Sequence, residues 1–349
     1  MNKKNVLVVD DSAFMRKMIS DIINTSSSLA VIDTARNGQD ALAKVKKLKP
    51  DVVTLDVEMP LMDGISTLRA VMREIPTPVV MLSSLTKSGA DKTIEAMSYG
   101  AVDFIAKPSG SISLNIKDIE AKIVKKVEHA TQANYHLVTK QTQKVDKNTY
   151  KPIISNRPIV AIGSSTGGPR ALQQIITQLP TNLKAPVVIV QHMPKGFTKS
   201  LAERLDKLSN VSVKEVEDGD LIEQSNVYLA PGGKQFKVKE VNHQFVAEVK
   251  QDLPVNGHQP AVDVLFESIS ELSDCHPIAV VLTGMGSDGA KGIIQLKKKH
   301  PRTITITQSK DTCVVYGMPQ SAEKTGLVDY VKDLENISEI LVQKIPKKR

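Results

Sequence analysis

The sequence predicts an α/β protein built from two doubly wound parallel-sheet domains, the second with a small antiparallel excursion. Three observations predict it. Residues 3–128 alternate short apolar runs with helical segments five times, the pattern that builds a parallel sheet. The same alternation restarts at Pro158 and continues to Ile345. Between them, from His129 to Arg157, Thr, Gln, Asn and Lys dominate, glycine is absent and hydrophobic periodicity fades, which reads as a flexible basic linker. The length of 349 residues suits two domains, and 41% hydrophobic with 24% charged residues is a composition able to form packed cores.

In the first domain the predicted strands are residues 5–9, 30–35, 52–55, 78–82 and 102–105. Helical segments follow at 13–24, 38–48, 65–73, 89–98 and 116–127, with the last able to run on into the linker. Parallel sheets bind ligands beyond the carboxyl ends of their strands. Here those ends carry Asp10 and Asp11 after the first strand, Asp56 after the third, Ser83 and Ser84 after the fourth, and Lys107 and Pro108 after the fifth. For any one of these taken alone, a polar loop residue is the better reading. Together, three converging carboxylates repel one another unless a cation sits between them, and oxygen ligands suit Mg²⁺. A carboxylate held against Mg²⁺, with an ammonium and a hydroxyl nearby, can accept a phosphoryl group.

The second domain opens on an apolar strand, residues 159–162, that breaks into Gly163-Ser164-Ser165-Thr166-Gly167-Gly168. Pro169 suits the first turn of a helix, where its missing N–H has no partner to lose. The G-x-S-x-G spacing centres on Ser165 and lifts a hydroxyl beside a helix N-terminus. A purely structural turn, or a phosphate cradle, fits the same residues; neither G-x-G-x-x-G nor G-K-[ST] is present. The next buried strand, 186–190, ends in Gln191-His192-Met193-Pro194. A helix is predicted at 195–208, then hairpin-rich short strands from 211 to about 250 with turns at Asp218-Gly219 and Pro231-Gly232-Gly233. A helix at 261–272 precedes a strand at 277–282, which ends in Thr283-Gly284-Met285-Gly286-Ser287-Asp288-Gly289. A helix from Ala290, a strand at 303–307, the segment 316–324 and a final helix at 334–345 complete the domain.

Three strand ends therefore carry Ser165, His192 and Asp288. A serine hydroxyl needs a base within reach, and that base needs a carboxylate to fix its tautomer. The backbone N–H of Met285 and Thr166 are candidate donors to an oxyanion. The alternatives stay open at this point: Ser164 as the exposed hydroxyl, His192 as a strand cap, and Asp288 as the N-cap of the following helix. His243, His258, His276 and His300 read as loop or surface residues. The order Ser, His, Asp differs from that of α/β-hydrolases.

The formal net charge of +8 is concentrated in residues 122–151 and in the tail Lys347-Lys348-Arg349, as a solvated linker and tail require. Aromatics are 3% and Trp is absent, which argues against stacking platforms for nucleic acid. Cys275 and Cys313 have no metal or redox spacing and read as reduced core residues. No apolar run approaches the roughly 18 residues a membrane helix needs, so the expectation is a cytoplasmic protein with no membrane insertion and no nucleic-acid partner.

The first-domain constellation resembles the flavodoxin-like receiver domain of two-component response regulators. That resemblance implies Asp56 as phosphoacceptor, and Mg²⁺ held by Asp10, Asp11, Asp56 and the backbone carbonyl of Glu58. It implies Lys107 and Ser83 as partners of the phosphoryl group, Phe104 as the switch aromatic, and a histidine kinase as phosphodonor. The blocks 161–169, 191–194, 282–289 and Tyr316-Gly317-Met318-Pro319 resemble the chemotaxis protein-glutamate methylesterases (CheB family). The implied substrate is methylated glutamate, and in many relatives glutamine, on the cytoplasmic helices of methyl-accepting chemoreceptors. Ser165 is then the nucleophile, His192 the general acid and base and Asp288 its orienting carboxylate, with the unphosphorylated receiver packed over the catalytic strand ends. The family commonly shows His-Arg-Pro-Ser-Val-Asp where this chain has His258-Gln259-Pro260-Ala261-Val262-Asp263. The competing reading is a regulator whose second domain only binds a partner.

Overall fold

A computed structural model describes residues 3–107, 116–133 and 157–345. The chain divides into two compact units, residues 1–135 and 136–349. Most of the predicted linker, residues 134–156, lies outside the described residues, as do Pro108 and the basic tail.

The first unit holds one five-stranded parallel sheet in the order β2-β1-β3-β4-β5. The strands are β1 (Lys4–Val9), β2 (Leu29–Ala35), β3 (Val52–Asp56), β4 (Val79–Ser83) and β5 (Asp103–Ala106), alternating with helices α1 (Ala13–Asn24), α2 (Gly38–Leu48), α3 (Gly64–Glu74), α4 (Lys87–Ser98) and α5 (Ile116–Ala130). All four pairings are parallel. The strands are short and apolar because both faces of the sheet are covered: Val6 to Val9, Val79 to Leu82 and Leu55 are all inaccessible to solvent. Each of the first four helices starts on a side-chain cap, from Ser12, Asn37, Asp63 and Thr86 in turn. These caps satisfy amide groups the helices cannot satisfy themselves. Order reverses between β1 and β3, so the crevice of the sheet opens at Asp10, Asp11 and Asp56.

In the second unit a seven-stranded sheet runs β14-β13-β12-β6-β7-β9-β8, parallel throughout. Its strands are β6 (Pro158–Ser164), β7 (Val187–Gln191), β8 (Ser212–Glu215), β9 (Asn226–Leu229), β12 (His276–Val281), β13 (Ile304–Gln308) and β14 (Tyr330–Lys332). The helices are α6 (Gly168–Ile176), α7 (Phe197–Leu208), α8 (Val262–Ser270), α9 (Ala290–Lys299), α10 (Met318–Glu323) and α11 (Leu334–Lys344). The chain lays β6 first, builds outward through β7 to β8, then returns to place β12 on the other side of β6. The reversal of strand order falls between β6 and β12.

Residues 211–250 depart from the expected run of hairpins. β8 and β9 are parallel members of the main sheet, joined by a connection that bridges onto β11 (Gln244–Lys250) through Leu221 and Val246. Only β10 (Gln235–Val241) and β11 form an antiparallel hairpin. Its turn is Asn242-His243, not the Asp-Gly or Pro-Gly-Gly sites, and both turn residues have positive φ, 49° and 60°. Such turns match strand twist, and Asn tolerates the left-handed region. The hairpin buries Phe236, Val238, Phe245, Ala247 and Val249 in the same core as α8. β14 is an edge strand the sequence pattern does not reveal. His276 is buried at the start of β12, not the loop or surface residue expected, while His300 follows α9 outside any helix or strand and lies half-buried against the Ser270 carbonyl.

Gly163 sits where β6 meets α8. A Cβ there would stand 2.4 Å from Val262 Cγ1, and Val262 is fully buried. Gly163→Ala is expected to destabilise the second unit by roughly 1–3 kcal/mol, the range for overpacking a filled core. Urea unfolding of the full chain checks this; an unchanged midpoint would mean α8 yields without cost.

Candidate functional sites

Strand register brings the three predicted residues of the second unit to one edge. Ser164 pairs with Gln191 and Gly163 with Val281, so Ser165 and His192 are the next residues on adjacent strands. His192 N–H donates to Ser164 O at 3.1 Å, and Ser165 N–H donates to Thr283 O at 3.0 Å. Asp288 lies seven residues past the end of β12, beyond the same edge. Ser164 is fully buried, its hydroxyl donating to Gln191 Oε1 at 2.7 Å, while Gln191 Nε2 donates to Ser165 O at 2.9 Å. Of the two serines, the half-buried Ser165 is the one left with an uncommitted hydroxyl among the described residues.

His192 Nε2 donates to Asp288 Oδ2 at 2.8 Å, with His192 only 6% and Asp288 1% exposed. The opposite ring nitrogen, Nδ1, is buried and has no hydrogen-bond partner among the described residues. A carboxylate on Nε2 fixes the proton there and leaves the Nδ1 lone pair basic. Asp288 does not cap the helix that follows it. Its Oδ2 also accepts from Val262 N–H at 2.7 Å and its Oδ1 from Asp263 N–H at 3.0 Å, so it sits on the N-terminus of α8. Asp263 reciprocates: its Oδ1 accepts from Gly289 and Gly292 N–H at the start of α9. Burial works against the charge on Asp288, but the His192 N–H and the two backbone donors outweigh it and hold the carboxyl down at about 2. Burial and the neighbouring Asp288 charge push the Asp263 carboxyl up.

Sequence reasoning missed two residues here, both in one turn. Val255 and His258 pair across Asn256-Gly257, with φ of 54° and 77°. The imidazole of His258 stacks on that of His192 with ring centroids 3.7 Å apart and planes 6° apart. Asn256 Nδ2 donates to Asp263 Oδ2 at 2.9 Å and to Asp288 Oδ1 at 3.1 Å. The Asn-Gly pair is a strong turn signal, and it was the one available pointer to this contact. Two positions where the segment departs from the family pattern also have a place: Gln259 Nε2 donates to Asp252 O, and Ala261 is the buried N-cap of α8, with no side-chain cap of its own.

The loop carrying Met285 packs on the Ser165 turn. A Cβ on Gly284 would fall 2.7 Å from Ser165 Cβ, and Gly284 O accepts from both Gly317 and Met318 N–H. Thr283 Oγ1 donates to Thr166 O at 3.0 Å. Gly284, one residue before Met285, therefore lies against Ser165, and Thr166 follows Ser165 into the N-terminus of α6, whose N-cap Gly167 has φ of 78°.

In the first unit, carboxylate oxygens of Asp10, Asp11 and Asp56 all lie within 4.8 Å of one another. Asp10 and Asp56 are buried; Asp11 is exposed. Lys107 Nζ is 2.8 Å from both Asp10 Oδ2 and Asp56 Oδ2. Two buried acids sharing one ammonium, with a third beside them, leave a surplus of negative charge and hard oxygen donors, which fits Mg²⁺. Glu58 N–H faces Asp56 Oδ1 at 3.4 Å and its side chain pairs with Lys92. Ser83 is fully buried and its hydroxyl faces the carbonyls of Ser84 and Gly89, at 3.1 and 3.0 Å. Phe104 is buried, with the Lys126 ammonium 5.0 Å from its ring centroid.

Comparison with known proteins follows the same division. Residues 160–341 match the family described as CheB methylesterase, and residues 6–117 match the response regulator receiver domain. The chain is 51% identical to a protein-glutamate methylesterase/protein-glutamine glutaminase of Geobacillus kaustophilus, over 99% of each chain. It is 46% identical to the protein of that description from Bacillus subtilis, again over 99% of each. A crystal structure of the Thermotoga maritima CheB methylesterase catalytic domain superposes with a TM-score of 0.51 and 45% identity, covering 54% of this chain and 99% of that one.

Asp56 offers a pH test of the first site. Burial, with the charge of Asp10, raises its carboxyl to about 6 despite Lys107. The folded state then binds a proton more readily than the unfolded one, so stability falls as pH rises from about 4 to 6. In divalent-free buffer, Asp56→Asn is expected to be more stable than wild type at pH 8 by an amount on the order of 1–3 kcal/mol. The gain should vanish by pH 4. Urea unfolding at the two pH values measures it, and equal stabilities at pH 8 would refute the charge argument.

Proposed function

The chain belongs to the CheB methylesterases that carry an N-terminal response regulator receiver domain, and from that membership we propose which of its residues and partners do the work. It is a protein-glutamate methylesterase/protein-glutamine glutaminase. The observation that carries the assignment of roles is the His192–Asp288 pair, with an unpaired basic Nδ1 on the strand next to Ser165.

In this reading Ser165 Oγ attacks the γ-carbonyl carbon of a methylated receptor glutamate as His192 Nδ1 takes the hydroxyl proton. Asp288 keeps the other proton on Nε2 and stabilises the imidazolium. The tetrahedral oxyanion is held by backbone N–H groups, those of Met285 and Thr166 being the candidates beside Ser165, since Ser165's own N–H is committed to Thr283 O. Collapse of the intermediate breaks the C–O bond, and the imidazolium proton goes to the departing methanol. His192 then takes a proton from water as it attacks the acyl-enzyme, which frees Ser165 and the glutamate carboxylate. A glutamine side chain follows the same course and releases ammonia.

The receiver accepts a phosphoryl group on Asp56 from a chemotaxis histidine kinase. Asp10, Asp11 and Asp56, with the Glu58 carbonyl, would hold Mg²⁺, which when bound supplies charge neutralisation for the incoming phosphoryl oxygens. Lys107 neutralises the same oxygens, and Ser83 and Phe104 register the change. Among the described residues no helix is long and apolar enough to cross a membrane. The substrate glutamates and glutamines are placed on the cytoplasmic helices of chemoreceptors, with the chain acting in the cytoplasm.

Methanol release from methylated chemoreceptor membranes tests both halves. Ser165→Ala is expected to lower it by about a thousandfold or more. A small phosphodonor with Mg²⁺ should raise the wild-type rate and leave Asp56→Asn unstimulated. Full release by Ser165→Ala would end the serine assignment.

A further inference from the structure

We propose that Asn256 is a positioning residue for the proton-transfer pair: its side-chain amide, donating to Asp263 and Asp288 at once, holds the Asp288 carboxylate in the orientation that binds Nε2 of His192. The proposal rests on the Ser165, His192, Asp288 reading.

Asp288 lies in a shell of hydrogen-bond donors. A carboxylate has about four lone-pair directions, and here four donors meet them: His192 Nε2 and Val262 N–H on Oδ2, Asp263 N–H and Asn256 Nδ2 on Oδ1. Two of these donors are backbone groups of α8 and one is the reacting base. Asn256 is the remaining side-chain donor. It also reaches the neighbouring Asp263 carboxylate, at 2.9 Å. Two carboxylates this close repel. An amide –NH₂ has two protons and can give one to each without adding charge. Lys would add a charge, and Ser has a single proton. Both neighbours are acceptors, so the amide nitrogen must face them, and its orientation follows from the network.

The backbone supports the same conclusion. Asn256 has φ of 54° and Gly257 of 77° in the turn that closes Val255 on His258, with hydrogen bonds of 3.0 and 2.9 Å in the two directions. Asn is among the few residues that take this conformation readily. The turn thus delivers the amide to the acids and, two residues on, the His258 ring to the face of His192. Asn256 itself is exposed, on the rim rather than in the core, so replacing it opens no core cavity.

The test uses the full chain in three variants: Asn256→Gly, which keeps the turn and removes the amide; Asn256→Asp, which keeps shape and replaces the donor with a third carboxylate; and Ser165→Ala. Two quantities are read. One is kcat and KM for methanol release from methylated receptor membranes. The other is the rate of Ser165 labelling by a fluorophosphonate across pH 5–9. The groups facing His192 and its acids are Asp263, Asp288 and His258, with Glu267 of α8 farther out, near Lys237 and Lys291.

Without the amide, the negative charge beside His192 is less compensated, so its imidazolium is favoured. The expected result is a fall in kcat of at least about tenfold with KM little changed. The acid limb of the labelling profile moves to higher pH, further for Asn256→Asp than for Asn256→Gly. Wild-type kcat and profile in Asn256→Gly would overturn the proposal. So would a loss of labelling equal at every pH, which marks a structural role alone. Activity or labelling retained in Ser165→Ala would instead unseat the underlying assignment, and is read separately.

Discussion

A charged carboxylate placed on the N-terminus of a helix that it does not precede is the constraint on which the second unit depends. Asp288 ends the loop before α9 yet caps α8, and Asp263 in the first turn of α8 accepts from the start of α9. Each acid meets amide groups that the other helix cannot satisfy, and each gains from the positive end of a helix dipole. Because α8 and α9 are bound crosswise, neither can slide without breaking charge-assisted bonds at both ends. His192 is tied to the same carboxylate. Its orientation is therefore set by helix packing rather than by the mobility of its own loop.

The strand ladder supplies the other coordinate. Ser164 opposite Gln191, and Gly163 opposite Val281, make Ser165, His192 and the Thr283 loop neighbours by register. A one-residue slip would turn every side chain to the opposite face. Gln191 adds discrimination between twin hydroxyls. It binds Ser164 Oγ with its carbonyl and the Ser165 carbonyl with its amide, so one serine is locked inward and the next is left to face outward. The two units solve a shared electrostatic problem differently: backbone amides and Asn256 compensate Asp288, whereas the single ammonium of Lys107 is divided between Asp10 and Asp56.

Most of the architecture was readable because both sheets are parallel and covered on both faces. Their strands are unbroken apolar runs, and the polar residue that ends each run marks the functional edge. The readable signals failed where a contact is long-range or a turn unusual. β8 and β9 are four residues each, and nothing local distinguishes a parallel edge pair from a hairpin. The true hairpin turns on Asn242-His243, with no glycine to mark it. Asp288 was recognisable as a helix-capping residue, but which helix it caps depends on a contact across 26 residues of chain. His258 was indistinguishable from a surface histidine, since stacking on His192 requires the turn at Asn256-Gly257 to fold back first.

Ser83 of the first unit, proposed above to answer phosphorylation of Asp56, is a buried hydroxyl already in use. A hydroxyl has one proton to give, and in this structure it points toward the carbonyls of Ser84 and Gly89. In the role proposed above, an anion on Asp56 would have to draw that proton away from an acceptor already using it. In that proposed role, switching would be an exchange of partners rather than the making of a bond from nothing. Release of the anion would return the proton to carbonyls still in place, so reversal of the proposed switch needs no new partner.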